Sequence, residues 1–207
     1  MLEIQALTQS GAGVYSARQM THENLQQLFA AWTLASATND ILAAATPYIT
    51  IEPLANCTSY SSWTSTSSTT RVQVAQNFTN LSPCSIHVAT RAAKDSAQYV
   101  KLYGAWNLMN EAYIGFYFKG TANSSGSYLL TLLINSALDY SSYYYYNLID
   151  QSLWDGTVRS VVLELSQFQI RGSPNLSSVS SIQLGIYSVE GGPFDYNLQY
   201  LVTAHNK

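Results

Sequence analysis

The chain has 207 residues, of which 47% are hydrophobic and 10% are charged, and its formal net charge is −3. This weakly acidic balance argues against a nucleic-acid partner, and the absence of an apolar run of about 18 residues argues against a membrane span. The first residues, MLEIQALTQSGAGVY, lack both a basic segment and a long apolar segment, so we expect no secretory signal.

The first predicted element is an amphipathic helix that begins near Thr21. Thr21 is a favourable N-cap, and Glu23 suits the positive end of a helix dipole. One apolar stripe at helical spacing consists of Leu25, Leu28, Phe29 and Trp32. We therefore predict an N-terminal helical arm over residues 1–46. Its stripe either packs on the rest of the chain or serves as an assembly helix against other subunits.

From Tyr48 onward, period-two alternation replaces the helical pattern. Residues 55–70 are rich in Ser and Thr, which predicts a long loop or an edge. The stretch AYIGFYFKG places Ile114, Phe116 and Phe118 on one face, and the apolar SYLLTLLIN is typical of a central strand. Short strands without helical segments between them predict an all-β, antiparallel β-sandwich over residues 47–207.

The clearest alternation spans residues 154–188, where two strands are separated by a Pro-Asn turn. Phe168 is predicted to lie beneath the sheet between them. The residues predicted to face the core are Val161, Leu163, Leu165, Ile182, Leu184 and Ile186. In the last strand, we predict that one side carries Phe194, Tyr196, Leu198, Tyr200 and Val202.

Aromatic residues are the best candidates for a binding surface. In the run YYYY, alternation sends Tyr143 and Tyr145 to one face and Tyr144 and Tyr146 to the other, so that one pair is buried. The exposed pair has rings that suit stacking on a sugar, with hydroxyls that form hydrogen bonds. Packing against a neighbouring strand, loop or subunit is the alternative.

Two tryptophans are further candidates for glycan contacts. They are Trp63, which lies in the polar segment, and Trp106. The same alternative of packing within the fold applies to both of them.

The second half of the chain resembles carbohydrate-binding modules with a galactose-binding-like jelly roll, over about residues 100–203. The residues that match this pattern are Trp154, Leu165, Ser166, Phe168, Gly172, Pro174, Asn175, Leu176, Val179, Ile182 and Gly185. The resemblance implies a jelly-roll sandwich, a structural role for Trp154, and glycans as ligands.

Modules of this kind often hold a calcium ion with a carboxylate of the last strand. Asp195 is the only acidic candidate there, and calcium needs several oxygen ligands. We therefore predict no cofactor and no metal site, with calcium as the alternative.

Catalytic motifs are absent from the sequence. None of His22, His87 and His205 lies at metal-binding spacing from another histidine or a cysteine. Glycoside hydrolysis needs two nearby carboxylates, for which Glu164 and Asp195 are the candidate pair. We predict that the chain is not an enzyme, with a polysaccharide hydrolase as the least favoured alternative.

Two features bear on the compartment. Cys57 and Cys84 either form one disulfide or remain two buried thiols. The glycosylation candidates in Asn-X-Ser/Thr sequons are Asn56, Asn77, Asn123 and Asn175; Pro83 weakens a fifth, at Asn80. These features are typical of an extracellular or virion-surface setting.

The low charge, the Tyr, Ser and Thr content and the N-terminal arm also resemble structural proteins of archaeal viruses. This resemblance implies a virion structural protein of a tail, spike or capsid accessory, used for assembly or host attachment. Its partners are then other virion proteins, further copies of the chain and cell-surface glycans. The alternative is a secreted glycan-binding module.

Overall fold

The computed structural model of the protein describes residues 49–55, 63–65, 67–76, 84–122, 128–137, 140–149 and 151–206. The predicted N-terminal arm lies outside these ranges. So do Cys57 and the predicted glycosylation sites Asn56, Asn77 and Asn123. Asn175 is described, and its side chain accepts a hydrogen bond from the backbone N–H of Ser177 as an N-cap.

The strands, in chain order, are β1 (Ile49–Ala55), β2 (Trp63–Thr64), β3 (Thr70–Gln76), β4 (Cys84–Ala92), β5 (Ser96–Trp106), β6 (Tyr113–Ala122), β7 (Tyr128–Asn135), β8 (Tyr143–Leu148), β9 (Asp155–Glu164), β10 (Gln169–Arg171), β11 (Val179–Ser188) and β12 (Gly192–Asn206). Short 3-10 helices span Gln151–Trp154, Leu165–Gln167 and Leu176–Ser178. Within the described part of the chain, no helix is both long enough and apolar enough to cross a membrane.

These strands form two antiparallel sheets that pack as a β-sandwich. Sheet A has the order β3-β4-β12-β6-β9, with β1 paired to the end of β12. Sheet B has the order β10-β8-β7-β11-β5-β2. The predicted all-β sandwich is therefore confirmed.

The hydrophobic core lies between the sheets and takes alternate residues from their strands. The predicted inward residues found in this core are Ile114, Phe116, Phe118, Val161, Leu163, Leu165, Phe168, Ile182, Leu184, Ile186, Phe194, Tyr196 and Leu198. Burying each large apolar side chain stabilises the fold by about 1.5–3 kcal/mol.

Trp154 closes one end of the core, as predicted. Its ring makes edge-on contacts at centroid distances of 5.1 Å to Phe118, 5.5 Å to Phe194 and 5.6 Å to Tyr128. Gly120 lies beneath it, and a Cβ at this glycine would overlap the rings of Phe118 and Trp154. The packing of this aromatic cluster therefore requires a residue without a side chain at position 120.

The last strand departs from the predicted alternation at Tyr200. A register shift separates Gln199 from Val202, and Tyr200 has a φ of 60°. The β-bulge moves Leu201 into the core and leaves Tyr200 half-buried. The prediction that Tyr200 and Val202 share a face with Leu198 was therefore wrong, because strict alternation fails across a bulge. Beyond it Val202 pairs with Gly115, on the side of β6 that faces away from the core.

Part of the polar segment before β3 forms an edge strand, β2, which was one of the two alternatives predicted for this segment. Trp63 does not lie in an exposed loop: it is 5% exposed, and it pairs with Leu102 at the edge of sheet B. Its indole therefore belongs to the core, although its neighbours in sequence are hydroxyl residues.

Candidate functional site

The outer surface of sheet B carries a concentration of tyrosines, which we call the tyrosine face. Its members are Tyr99 and Tyr103 on β5, Tyr143 and Tyr145 on β8, Tyr187 on β11, and Tyr140 in the connection between β7 and β8. The strand members occupy alternate positions, so the residues between them point into the core. Tyr103 is exposed and the others are half-buried.

Strand order determines the shape of this face. β5 and β8 lie about 14 Å apart, since two strands, β11 and β7, separate them. The outward residues of the two central strands are mostly short or uncharged: Ser181, Gln183 and Gly185 on β11, and Thr131, Leu133 and Asn135 on β7. The tyrosines of β5 and β8 therefore flank a lower, mainly polar floor.

Two tyrosines of β8 form one wall of the face. The rings of Tyr143 and Tyr145 are 5.9 Å apart at an interplanar angle of 65°. On the opposite wall, burial raises the pKa of Tyr99, and the electrostatic influence of Tyr143 raises it further. The phenol of Tyr99 therefore remains protonated at neutral pH and can donate a hydrogen bond.

Two cations contact the phenols at one end of the face. The Lys101 ammonium donates to the Tyr140 hydroxyl at 2.8 Å and lies 4.3 Å from the centre of the Tyr140 ring. Arg171 donates to the Tyr143 hydroxyl at 3.1 Å. Tyr140 has a φ of 57°, a left-handed conformation in which its ring meets Lys101.

The polar side chains of the floor are buried at one end of the tyrosine face and accessible at the other. Near Tyr140, the side chains of Ser181, Gln183 and Asn135 are almost fully buried. Both polar atoms of the Asn135 amide lack a hydrogen-bond partner among the described residues. Towards the other end, Thr131 donates to the Asn147 side-chain oxygen at 2.8 Å, and Asn147 is exposed. Polar groups are thus accessible mainly on the Asn147 side.

The aromatic residues predicted for a glycan site form two groups in the structure, one that packs against the core and one on the surface. Tyr144 and Tyr146 pack against the core, where the Tyr144 hydroxyl donates to the Pro174 carbonyl oxygen at 3.1 Å. Trp106 is half-buried and packs against the core as well. Trp63 belongs to the core as well. Of the predicted candidates, Tyr143 and Tyr145 therefore remain on the surface.

Sequence reasoning missed most of the tyrosine face. Tyr99, Lys101 and Tyr103 were not among the residues predicted to form a binding surface. Their spacing of two was the available signal. Nothing in the local sequence indicated that Tyr140, from a loop, lies beside Lys101.

The two carboxylates named as candidates for the hydrolase alternative are far apart. Glu164 pairs with Tyr113, which pairs with Ala204, and Ala204 lies nine positions along β12 from Asp195 (195 to 204). At the strand rise, this spacing corresponds to about 30 Å, well beyond the separation that glycoside hydrolysis needs. Glu164 and Asp195 therefore do not form the pair that the hydrolase alternative requires.

Asp195 instead lies beside a histidine. Its carboxylate is 2.9 Å from Nε2 of His87, whose Nδ1 is 3.1 Å from the Gln73 amide. In the part of the chain that the structure describes, no three His, Cys, Asp or Glu side chains form a group that could hold a metal ion.

No family model matches the sequence, and no curated protein is significantly similar to it. Solved structures do match. A family 11 carbohydrate-binding module from Clostridium thermocellum, in complex with a β-1,3-1,4-mixed-linked tetrasaccharide, has a TM-score of 0.56 at 12% identity, over 74% of this chain and 94% of that one. For a family 30 carbohydrate-binding module, the TM-score is 0.53 at 12% identity, over 70% and 91%. The chain has the fold of these carbohydrate-binding modules.

Larger proteins also contain this fold. A β-1,2-glucanase from Parabacteroides distasonis matches with a TM-score of 0.51 at 12% identity, over 69% of this chain but 23% of the glucanase. The described strands thus correspond to a small part of that chain. The likeness concerns the β-sandwich and carries no information about catalysis.

Proposed function

We propose that this chain is a non-catalytic glycan-binding module that contacts its ligand through the tyrosine face. The observation that carries the proposal is the pair of tyrosine walls on β5 and β8, with polar side chains on the floor between them. Aromatic rings stack on the C–H faces of sugars, while hydroxyl and amide groups orient the ligand. The likeness in fold to modules named for carbohydrate binding supports the same conclusion.

The accessible groups suit a carbohydrate chain rather than an apolar molecule. Tyr145 and Tyr187 offer ring surface, and Thr131 and Asn147 offer polar atoms beside them. A sugar presents hydroxyls at its edge and C–H groups on its faces, so both kinds of side chain find a partner.

A glycan array followed by titration calorimetry tests this proposal. Tyr145→Ala should weaken binding by about tenfold or more, because one stacking surface is removed. Tyr113→Ala is the matched control, since Tyr113 is a half-buried tyrosine on the outer surface of sheet A. The proposal fails if the chain binds no glycan, or if both variants lose affinity equally while remaining folded.

We further propose that the module works outside the cell or on a virion surface, in attachment or assembly. The support comes from the sequence: few charges, several sequons and the apolar stripe of residues 25–32. In light scattering at rising protein concentration, the wild type should form oligomers and Leu28→Asp should remain a monomer. A wild type that stays monomeric at every concentration counts against assembly through this stripe and leaves glycan binding untouched.

A further inference from the structure

The tyrosine face has an uneven distribution of charge. The outward positions of the described strands of sheet B carry two cations, Lys101 and Arg171, and no carboxylate. This arrangement is unexpected in a chain with a net charge of −3. It produces a positive potential at one end of the proposed binding surface.

Lys101 is the more informative of the two cations. Its side chain is 9% exposed, and its one hydrogen-bond partner among the described residues is the Tyr140 hydroxyl. An ammonium group has three N–H donors, and a buried charge is normally paired with an opposite charge. Among the described residues, the charge of Lys101 is compensated only by a phenol and by the face of its ring.

The hydrogen bonds of these cations also prepare the phenols for an acceptor. The hydroxyls of Tyr140 and Tyr143 each accept a bond from a cation, and the Tyr140 hydroxyl also lies 3.4 Å from the Tyr103 hydroxyl, where either oxygen can be the donor. When Tyr103 is the donor, both phenols keep their own O–H hydrogen for a further acceptor. The neighbouring positive charge strengthens such a donor, and bonds to anionic acceptors are shorter and stronger than bonds to neutral ones. Both phenols therefore favour a negatively charged oxygen.

The two cations face the same end of the surface from opposite sides. Arg171 lies on β10 in the row of Tyr143 and Asn135, and Lys101 lies on β5 in the next row. Their strands are about 19 Å apart, and each side chain contacts a tyrosine of this end. A group placed between Tyr140 and Tyr143 therefore experiences both charges.

We infer that the glycan bound by the tyrosine face carries an oxyanion, either a uronate carboxylate or a sulfate ester, which lies between Tyr140 and Tyr143. This inference rests on the proposed function. Beyond that function, it specifies the charge of the ligand and the end of the tyrosine face at which the charged group binds. Arg171 is exposed and forms the direct ion pair with the oxyanion. Lys101 is buried and attracts the oxyanion electrostatically without contacting it.

Calorimetry with matched polysaccharides tests the inference. Polygalacturonate and its carboxyl-reduced form differ at one group, a charged carboxylate in the first and a neutral hydroxymethyl in the second. Chondroitin sulfate and its desulfated form separate the two oxyanions. We expect one acidic polymer to bind about tenfold more tightly than its neutral form, with an affinity that falls between about 50 mM and 500 mM salt.

Variants separate the charge of the cations from their role in packing. Lys101→Met and Arg171→Gln should remove the preference for the acidic polymer, and Arg171→Lys should restore much of it. If these variants weaken acidic and neutral glycans equally, Lys101 and Arg171 only hold the tyrosines in place and the inference is overturned. Equal binding of both forms by the wild type overturns it as well, yet leaves glycan binding intact. Binding to neither form nor to any array glycan overturns the proposed function itself.

Discussion

The ring of Tyr99 lies against the backbone of Gly185, its cross-strand partner on β11, and a Cβ at position 185 would overlap that ring. An aromatic residue opposite a strand glycine covers the backbone that the glycine leaves bare. The pair therefore positions one wall of the tyrosine face over its floor. Gly185 therefore affects the site through the position of the Tyr99 ring, although it has no side chain that could contact a ligand.

Gly185→Ala should displace Tyr99 and reduce glycan affinity by about tenfold. Overpacking of this kind also destabilises a fold by about 1–3 kcal/mol, which thermal unfolding would measure. In the Tyr99→Ala background the same substitution should have little further effect on affinity, because the ring that it displaces is gone. Wild-type affinity in Gly185→Ala would show that Tyr99 does not contact the ligand.

The aromatic cluster around Trp154 gives a prediction about stability. Trp154→Ala should lower the free energy of unfolding by about 3–5 kcal/mol, because it removes a buried ring that contacts Phe118, Tyr128 and Phe194. Urea unfolding measures the change. Ile170→Ala is the control, since Ile170 is 62% exposed and its loss should leave stability almost unchanged.

The sequence predicted the layers of this fold better than its surface. Alternation correctly divided the run of four tyrosines, because Tyr144 and Tyr146 belong to the buried face of β8. It failed at Tyr200, where a bulge changes the alternation. At Trp63 the polar neighbours left glycan contact and packing within the fold both open, and the structure shows packing. A residue's face depends on its pairing partners, which local composition does not reveal.

The candidate site was harder to predict because it depends on strand order. Tyr103 and Tyr143 lie 40 positions apart in the sequence (103 to 143), and they occupy one row across the sheet only because β11 and β7 lie between β5 and β8. The contact between Lys101 and Tyr140 requires a left-handed residue in a loop, for which tyrosine shows no local preference. The period of the strands thus predicted outward tyrosines in general, but not which of them form one surface.

The cysteines give a third prediction. Cys84 is disulfide-bonded, and the chain contains only one other cysteine, Cys57. A loop of this size should contribute about 3–4 kcal/mol to stability by restricting the unfolded chain. The double variant Cys57→Ser/Cys84→Ser should therefore unfold at a lower urea concentration, and a reducing agent should affect the wild type but not this variant. Identical unfolding curves with and without reductant would contradict the prediction.

The turn at the start of β9 gives a prediction about acid stability. The Thr157 side chain and backbone N–H both donate to the Asp155 carboxylate, and Arg159 pairs with it at 2.7 Å. These contacts lower the pKa of Asp155 from 3.8 to about 2, with the Thr157 hydroxyl as the largest cause. Because the folded state favours the charged carboxylate, the stabilisation is present above the unfolded pKa and disappears as the pH falls through the folded one.

Asp155→Asn should therefore be less stable than the wild type at neutral pH, and the difference should shrink between about pH 4 and pH 2. Urea unfolding at several pH values measures the two curves. Glu190→Gln serves as the control, because Glu190 is exposed and has no hydrogen-bond partner among the described residues, so its curve should follow that of the wild type. A difference between Asp155→Asn and the wild type that stays constant down to pH 2 would mean that the carboxylate's charge does not stabilise this turn.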